Sequence, residues 1–233
     1  MVQSTHMPAA EKRKLEQESL KQSRIDHIIE CTFGLFADKG IESISMNEIA
    51  SQAEIGVASL YRYFSTKEDL AIECAIYAWN MEKDNFQRIF SSPEYEAMTG
   101  FEQIKVLLEI FPEAFISQSS FFRFVYYFDS FVRKERVSPD RLEKYEKTIA
   151  GINQIVIDAF EKGRKDGSIT FNGGKSAAMY GAEIHELYFT MIHMLFSLAQ
   201  KLSLSGEMLY MDLQVRSERQ LDLMVRIMLD ALR

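Results

Sequence analysis

Apolar positions recur every three or four residues along most of this chain, and nowhere do they alternate long enough to predict a strand. Ile25, Ile28, Ile29, Thr32, Phe33 and Phe36 form the first stripe and predict a helix over about 23–39, closed by Gly40. Ser45, with Glu48 three residues on, is a capping-box pattern that opens a second helix, whose Ile49, Ala50 and Ala53 face inward. The chain turns near Glu54–Gly56 and restarts as a short helix over Val57–Phe64. Ser65 or Thr66 caps the next helix, and Glu68 and Asp69 in its first turn suit the helix dipole. That helix runs past Ala75 and Trp79 and stops before Pro93, and residues 91–100 read as a break. Further helices are predicted over 101–118, 120–136 and 139–165, the last opened by Ser138 and Pro139. Residues 171–174 read as a loop, and two long helices close the chain, over about 175–203 and 212–232.

The pattern predicts an all-α fold. Only 4 prolines and 11 glycines interrupt it, which favours long helices. With 233 residues, 47% of them hydrophobic, the chain can build one large domain or two small ones. Residues 1–22 are polar without an apolar stripe and predict a frayed or disordered arm. A second unit is expected over 23–70 and a third over 71–233. No apolar run reaches bilayer length and the start lacks a signal-peptide pattern, so a cytoplasmic protein is expected. Cys31 and Cys74 sit among apolar neighbours and read as buried thiols rather than a redox or metal pair.

Residues 44–70 are the most informative stretch: two short helices across a tight turn, then a capped third. That layout suits a helix-turn-helix. Charge argues the other way. The formal net charge is −7, and residues 1–70 hold eight Lys and Arg against eleven Asp and Glu. A general polyelectrolyte binder is basic. Nucleic-acid binding here requires a locally arranged face and a contact repeated by two-fold symmetry.

The segment from about Ser23 to Leu70 resembles the N-terminal DNA-binding domain of the TetR family of bacterial transcriptional regulators. The resemblance is carried by Phe36–Ala37–Asp38–Lys39–Gly40, Ile49–Ala50, Ala53, Leu60–Tyr61–Arg62–Tyr63–Phe64 and Lys67–Glu68–Asp69–Leu70. It implies an all-helical homodimer with three N-terminal helices on palindromic operator DNA and C-terminal helices that bind a small ligand and the partner copy. It further places Val57, Ala58, Ser59, Tyr61 and Tyr63 on the DNA side of a recognition helix opened by Gly56. Tyr61 would donate to a phosphate, Tyr63 would meet a phosphate or a thymine methyl, and Arg62 and Lys67 would hold the backbone. Ser45, Met46 and Asn47 open the preceding helix, whose amides can hold a phosphate, although Asn47 could instead reach a base. Three positions depart from the family's habit: Glu54 stands where Gly is common, Gly56 where Ser or Thr is common, and Val57 where a polar residue is common. Val57 and Ala58 offer only apolar contact, which shifts the expectation toward shape readout and thymine methyls.

Residues 111–131 carry seven phenylalanines and two tyrosines. So aromatic a stretch is either a helical core or the wall of a cavity. The family resemblance favours the cavity, and with it a hydrophobic or aromatic ligand. Candidate walls are Phe111, Phe115, Phe121, Phe124, Tyr127 and Phe128, joined by Trp79, Phe86 and Met191, with His185 and Tyr188 as polar contacts. His185 and His193 lack the His-Glu-x-x-His spacing, because position 189 is Phe, so no metal is expected. The last two helices carry stripes larger than one small domain needs. Tyr180, Ile184, Leu187, Leu195, Leu221, Met224 and Met228 are therefore the expected dimer interface. No phosphate loop, nucleophile elbow or dinucleotide fingerprint is present, so neither catalysis nor a cofactor is expected. The rival to a ligand-released repressor is a helical small-molecule-binding protein or enzyme that never meets DNA.

Overall fold

The computed structural model describes residues 9–170, 184–205, 208, 210 and 214–233, and every regular element among them is a helix. The order is α1 (Ala9–Lys39), α2 (Met46–Gln52), α3 (Val57–Tyr63), α4 (Lys67–Phe90), α5 (Pro93–Ala97), α6 (Gly100–Ser117), α7 (Ser119–Glu135), α8 (Pro139–Asp166), α9 (Ile184–Ser205) and α10 (Ser217–Leu232). Helix α1 begins well before the predicted start. Residues 10–24 continue it as an exposed rod with no buried side chain, so that part of the expected arm is helical. The short α5 fills part of the predicted break; Ser92 caps it and Pro93 occupies its first turn.

The sequence's punctuation marks act as caps. Gly40 takes φ +80 just past α1, its N–H donating to the Phe36 carbonyl at 2.9 Å. Ser45 and Glu48 form a reciprocal capping box, as do Thr66 with Asp69 and Thr99 with Glu102. Each box binds its own amides, and the carboxyls of Glu48 and Glu102 are held below their ordinary range chiefly by backbone N–H donation.

The N-terminal core is built from Ile28, Phe36, Ile41, Ile44, Ile49, Leu60 and Leu70, all almost fully buried. One ionic group ties it together. Lys67, the first residue of α4, donates from Nζ to the carbonyls of Ile41 (3.0 Å), Ile44 (3.0 Å) and Glu42 (3.4 Å). These belong to the loop between α1 and α2. The expected phosphate contact by Lys67 is therefore corrected: its ammonium, on a half-buried side chain, is already engaged by these three carbonyls. The side chain of Met46 is 9% exposed and packs in the core, which leaves only its backbone amide for the expected contact.

The rest of the chain packs against α1 and α4. Arg123 of α7 donates from Nε to the Ala37 carbonyl (3.1 Å) and pairs with Asp38 (3.4 Å). Arg141 of α8 reaches Thr66 (3.0 Å) and Asp69 (2.8 Å), and Lys144 reaches Glu73 (2.8 Å). Helices α6 and α8 cross at Gly100 and Gly163, where a Cβ on Gly100 would stand 1.9 Å from the Gly163 nitrogen. The Gly100 amide donates to Asp166 (2.9 Å) and the Phe101 amide to the Ser168 hydroxyl (3.0 Å). The end of α10 closes on the same corner, with the Thr170 amide donating to the Leu232 carbonyl (3.0 Å).

Among the expected dimer residues, Leu195, Leu221 and Met228 are buried within this chain's own core and present no face to a partner. The apolar stripes of α9 and α10 are consumed by α6, α7 and α8, an intramolecular demand the stripe alone does not distinguish from pairing. Leu187 and Met224 are half-buried. Tyr180 and the side chain of Ile184 lie outside the described residues. The exposed apolar residues of these helices are instead Phe189, Met194, Leu223 and Ile227.

The helix crossing yields a direct test. Gly100→Ala forces α6 and α8 apart, and overpacking of this kind costs about 3 kcal/mol. Urea unfolding should show a midpoint lowered accordingly, whereas Gly151→Ala, with open space around its Cβ position, should leave stability unchanged or slightly raised.

Candidate nucleic-acid interface and ligand cavity

Helices α2 and α3 are each seven residues long, and a Schellman-type turn joins them. The Ile55 amide donates to the Ala50 carbonyl (3.0 Å) and the Glu54 amide to Ser51 (3.2 Å). Glu54 takes φ +53 at the position glycine favours, a strain of about 1 kcal/mol that the turn's hydrogen bonds offset. Gly56 caps α3 with no side chain.

Helix α3 buries only Leu60 fully. Ala58, Tyr61 and Arg62 are exposed together with Gly56, and Val57, Ser59 and Tyr63 are half-buried. Tyr61 is 49% exposed, so its ring stands off the surface. The guanidinium of Arg62 donates to Ser59 Oγ at 2.8 Å, one turn back. Asn47 is exposed on the first turn of α2. Ser45 is exposed as well, but its hydroxyl both donates to Glu48 and accepts the Glu48 amide. The structure thus brings Asn47, Gly56, Val57, Ala58, Ser59, Tyr61, Arg62 and Tyr63 into one two-helix unit. Met46 and Lys67 serve its interior.

A cavity of about 270 Å³ lies between α4, α6, α7, α8 and α9. Trp79, Phe111, Phe121, Phe122 and Phe196 form its aromatic wall. Trp79 stacks on Phe196 with centroids 5.7 Å apart and meets Phe121 edge-on at 5.0 Å. Phe111 lies 5.2 Å from Phe122 and 5.4 Å from Phe196. The opposite wall is Ile152, Asn153, Ile155 and Val156 of α8 with Tyr188 and Ile192 of α9. The Tyr188 hydroxyl donates to Asn153 Oδ1. Lys83, Gln87 and Ser91 line the cavity yet are exposed, so it opens to solvent along this side of α4.

Of the expected ligand contacts, Trp79, Phe111, Phe121 and Tyr188 line this space. Phe124 and Phe128 do not: they are buried against α1 and Tyr145, with Phe124 5.1 Å from Phe33 and Phe128 4.9 Å from Tyr145. Tyr127 packs its ring over Gly40, Phe115 packs on Phe122, and Met191 supports the core from outside the cavity. The side chains of Phe86 and His185 lie outside the described residues. An aromatic run around a whole helix circumference splits between two faces, and only the face toward α6 and α9 meets the void. Sequence reading missed Glu82, Asn153 and Phe196. The signal for Glu82 was an acid lodged between apolar positions of α4.

Glu82 is 8% exposed and lines the cavity. Burial pushes its carboxyl up to about 7. The Tyr188 phenol is likewise raised by burial to about 12.

Residues 28–74 match the family model of bacterial regulatory proteins of the tetR family. A Staphylococcus aureus (strain USA300) protein named as an HTH-type transcriptional regulator is 32% identical over 93 residues, 40% of this chain and 48% of that protein. A counterpart in the bovine strain RF122 is 34% identical over 82 residues, 35% of this chain and 42% of that protein. The chain therefore spans about half the length of the curated relatives it matches. The fold extends further. A crystal structure of a TetR-family transcriptional regulator from Agrobacterium tumefaciens superposes with TM-score 0.66 at 15% identity, covering 91% of this chain and 98% of the other. The reduced form of Escherichia coli NemR gives 0.61 at 17% identity over 90% and 98%. The fatty acid degradation regulator FadR of Bacillus halodurans gives 0.61 at 15% over 89% and 99%. At these identities the likeness establishes the fold.

The buried acid sets a pH-dependent stability. Below about pH 4.5 both folded and unfolded chains keep the Glu82 proton. Between 4.5 and about 7 the unfolded chain releases it first, so stability falls as pH rises, by about 3 kcal/mol in all. Glu82→Gln should raise the denaturation midpoint at pH 8 and leave it nearly unchanged at pH 4.5.

Proposed function

From a chain whose residues 28–74 carry the N-terminal domain of the tetR family of bacterial regulatory proteins, we propose a ligand-responsive transcriptional repressor. It acts in the cytoplasm as a homodimer, without catalysis, on a near-palindromic operator. The observation that carries this reading is the exposed face of α2 and α3, with Tyr61 protruding from a short helix whose one fully buried residue is Leu60.

Two copies of that rod would enter successive major grooves. Phosphate contacts fall to Tyr61, Tyr63, Arg62 and the first turn of α2 at Asn47. Base contact falls to Val57, Ala58 and the methylene groups beside them, which suits thymine methyls and groove shape more than hydrogen-bonded readout. Pairing falls to the outward faces of α9 and α10, where Phe189, Met194, Leu223 and Ile227 are each more than two-fifths exposed. A chain with net charge −7 gains little from undirected attraction to DNA, so duplicated contact is what supplies affinity.

The effector enters between α4, α6, α7, α8 and α9. It works through α4, which starts at Lys67 under the DNA-reading pair and ends along the cavity. Ligand binding would favour one spacing of the two recognition helices over another, by as much as its affinities for the two forms differ.

Tyr61→Ala should weaken operator binding at least tenfold in a mobility-shift titration. Its melting curve should stay within the small range of surface substitutions, because half the ring already faces water. Undiminished operator affinity would remove Tyr61 from the interface and with it the reading of α3.

A further inference from the structure

Resting on the reading of α2 and α3 as the operator-binding pair, we propose that the exposed first half of α1 is a second DNA-binding element: a basic stripe of Arg13, Lys14, Lys21 and Arg24 that docks on the phosphate backbone of the same duplex. Three observations carry it.

The first is that the cations are sorted onto one face. Lys14, Gln17, Lys21, Arg24 and Ile28 follow one another at steps of three and four residues, which sets them in one line along the helix, with Arg13 beside it. No acid stands in that line. Lys12, which lies off it, pairs with Glu16 at 3.9 Å. Arg13, Lys14, Lys21 and Arg24 make no ion pair among the described residues. Residues 9–24 hold five Lys and Arg against three Asp and Glu, opposite in sign to the net −7 of the chain.

The second is where that face points. Ile28, at the end of the line, is fully buried in the core that also holds Ile49 of α2 and Leu60 of α3. Cys31, three residues further on, feels the Glu54 carboxylate in the turn between those two helices. The basic line therefore lies on the side of α1 that carries the helix-turn-helix. The other end of α1 is held by α7, through Arg123 on Ala37 and Asp38 and through Tyr127 against Gly40. The rod thus projects from the end of α1 opposite to α7.

The third is that nothing in this chain covers the rod. Every side chain over residues 10–24 is exposed, along about 22 Å of helix at 1.5 Å per residue. Leu15 and Leu20, its exposed large apolar residues, are five positions apart and fall on different sides. They form no seam for a second copy. A row of backbone phosphates is what complements a row of unpaired cations, and such contacts add affinity whatever the base sequence.

The test uses the full-length protein and the duplex it enriches from a random library. Binding is followed by fluorescence anisotropy between about 50 and 200 mM salt. The triple variant Lys14→Gln, Lys21→Gln, Arg24→Gln should lose at least tenfold in affinity at the lower salt. Its slope of log affinity against log salt should become shallower by about 2 or more. Glutamine keeps helix propensity, so the far-ultraviolet circular dichroism should not change. Exchange of the same three positions as Lys14→Arg, Lys21→Arg, Arg24→Lys should keep both affinity and slope. A control, Lys105→Gln, Lys147→Gln, Lys165→Gln, removes as much charge from exposed sites on α6 and α8 and should leave the slope nearly unchanged. A rod variant that binds like this control overturns the proposal and leaves α2 and α3 standing. So does a rod variant whose sedimentation shows an altered oligomer, which gives the rod to a second copy. Should the unaltered protein enrich no duplex, the reading of α2 and α3 falls with it. Should the triple variant lose helix, Lys21→Gln alone decides: a slope shallower by about 1 is expected, and an unchanged slope overturns the proposal.

Discussion

Three backbone carbonyls converging on the ammonium of Lys67 tie the loop between α1 and α2 to the start of α4. The loop they belong to closes α1 and leads into α2. Lys67 is itself the first residue of α4. The start of the helix-turn-helix and the start of the long helix behind it are thus one fixed joint. A hydrogen bond from a charged donor is stronger than a neutral one, and without it three loop carbonyls, two of them partly buried, would lose their shared partner. The two short helices could not hold an angle by themselves: at seven residues each they fall well below the length at which an isolated helix is stable. They take their geometry from Ile49, Ala50 and Leu60 in the core and from this joint.

The same helix reaches the cavity. Trp79 and Glu82 lie twelve and fifteen residues beyond Lys67, so a rigid α4 spans roughly 20 Å between effector space and joint. Ion pairs from α8 to Asp69 and Glu73 grip its first half, and α7 grips the end of α1 through Arg123. These surface pairs contribute little stability singly. Their value is positional. In the proposed switch, a displacement of α4, α7 or α8 at the aromatic wall would reach α1 and α2 through these contacts.

Much of this was legible in the residues. The caps at Ser45 and Thr66, the Ser138–Pro139 start and the stop at Gly40 mark where helices begin and end, because an orphaned amide or a positive φ demands particular side chains. The helix-turn-helix was legible from Ile49, Ala50 and Leu60 as apolar positions that lock its two short helices. What the chain hid is partnership at a distance. Lys67 reads as a phosphate contact in sequence, since nothing local announces three carbonyls more than twenty residues earlier. Met46 reads as part of an exposed first turn, although the α1–α2 core needs a side chain there. Phe124 and Phe128 share a helix with Phe121 and Phe122 but face Phe33 of α1 and Tyr145 of α8 rather than the void. Leu195, Leu221 and Met228 look like a pairing stripe because amphipathicity reports that a face is covered and is silent on which molecule covers it.

The cavity itself imposes two costs on the ligand-free protein. Its lining forgoes the dispersion contacts that a filled core would make, and its acid must either keep a proton or hold a charge away from water. A bound ligand whose body fills the void would remove the first of these costs. Such a ligand stabilises whichever arrangement of α4, α6, α7, α8 and α9 encloses it best, by mass action on that arrangement alone. In the proposed repressor, the difference in free energy between empty and occupied cavity would pass along α4 to the Lys67 joint and bias the placement of Tyr61.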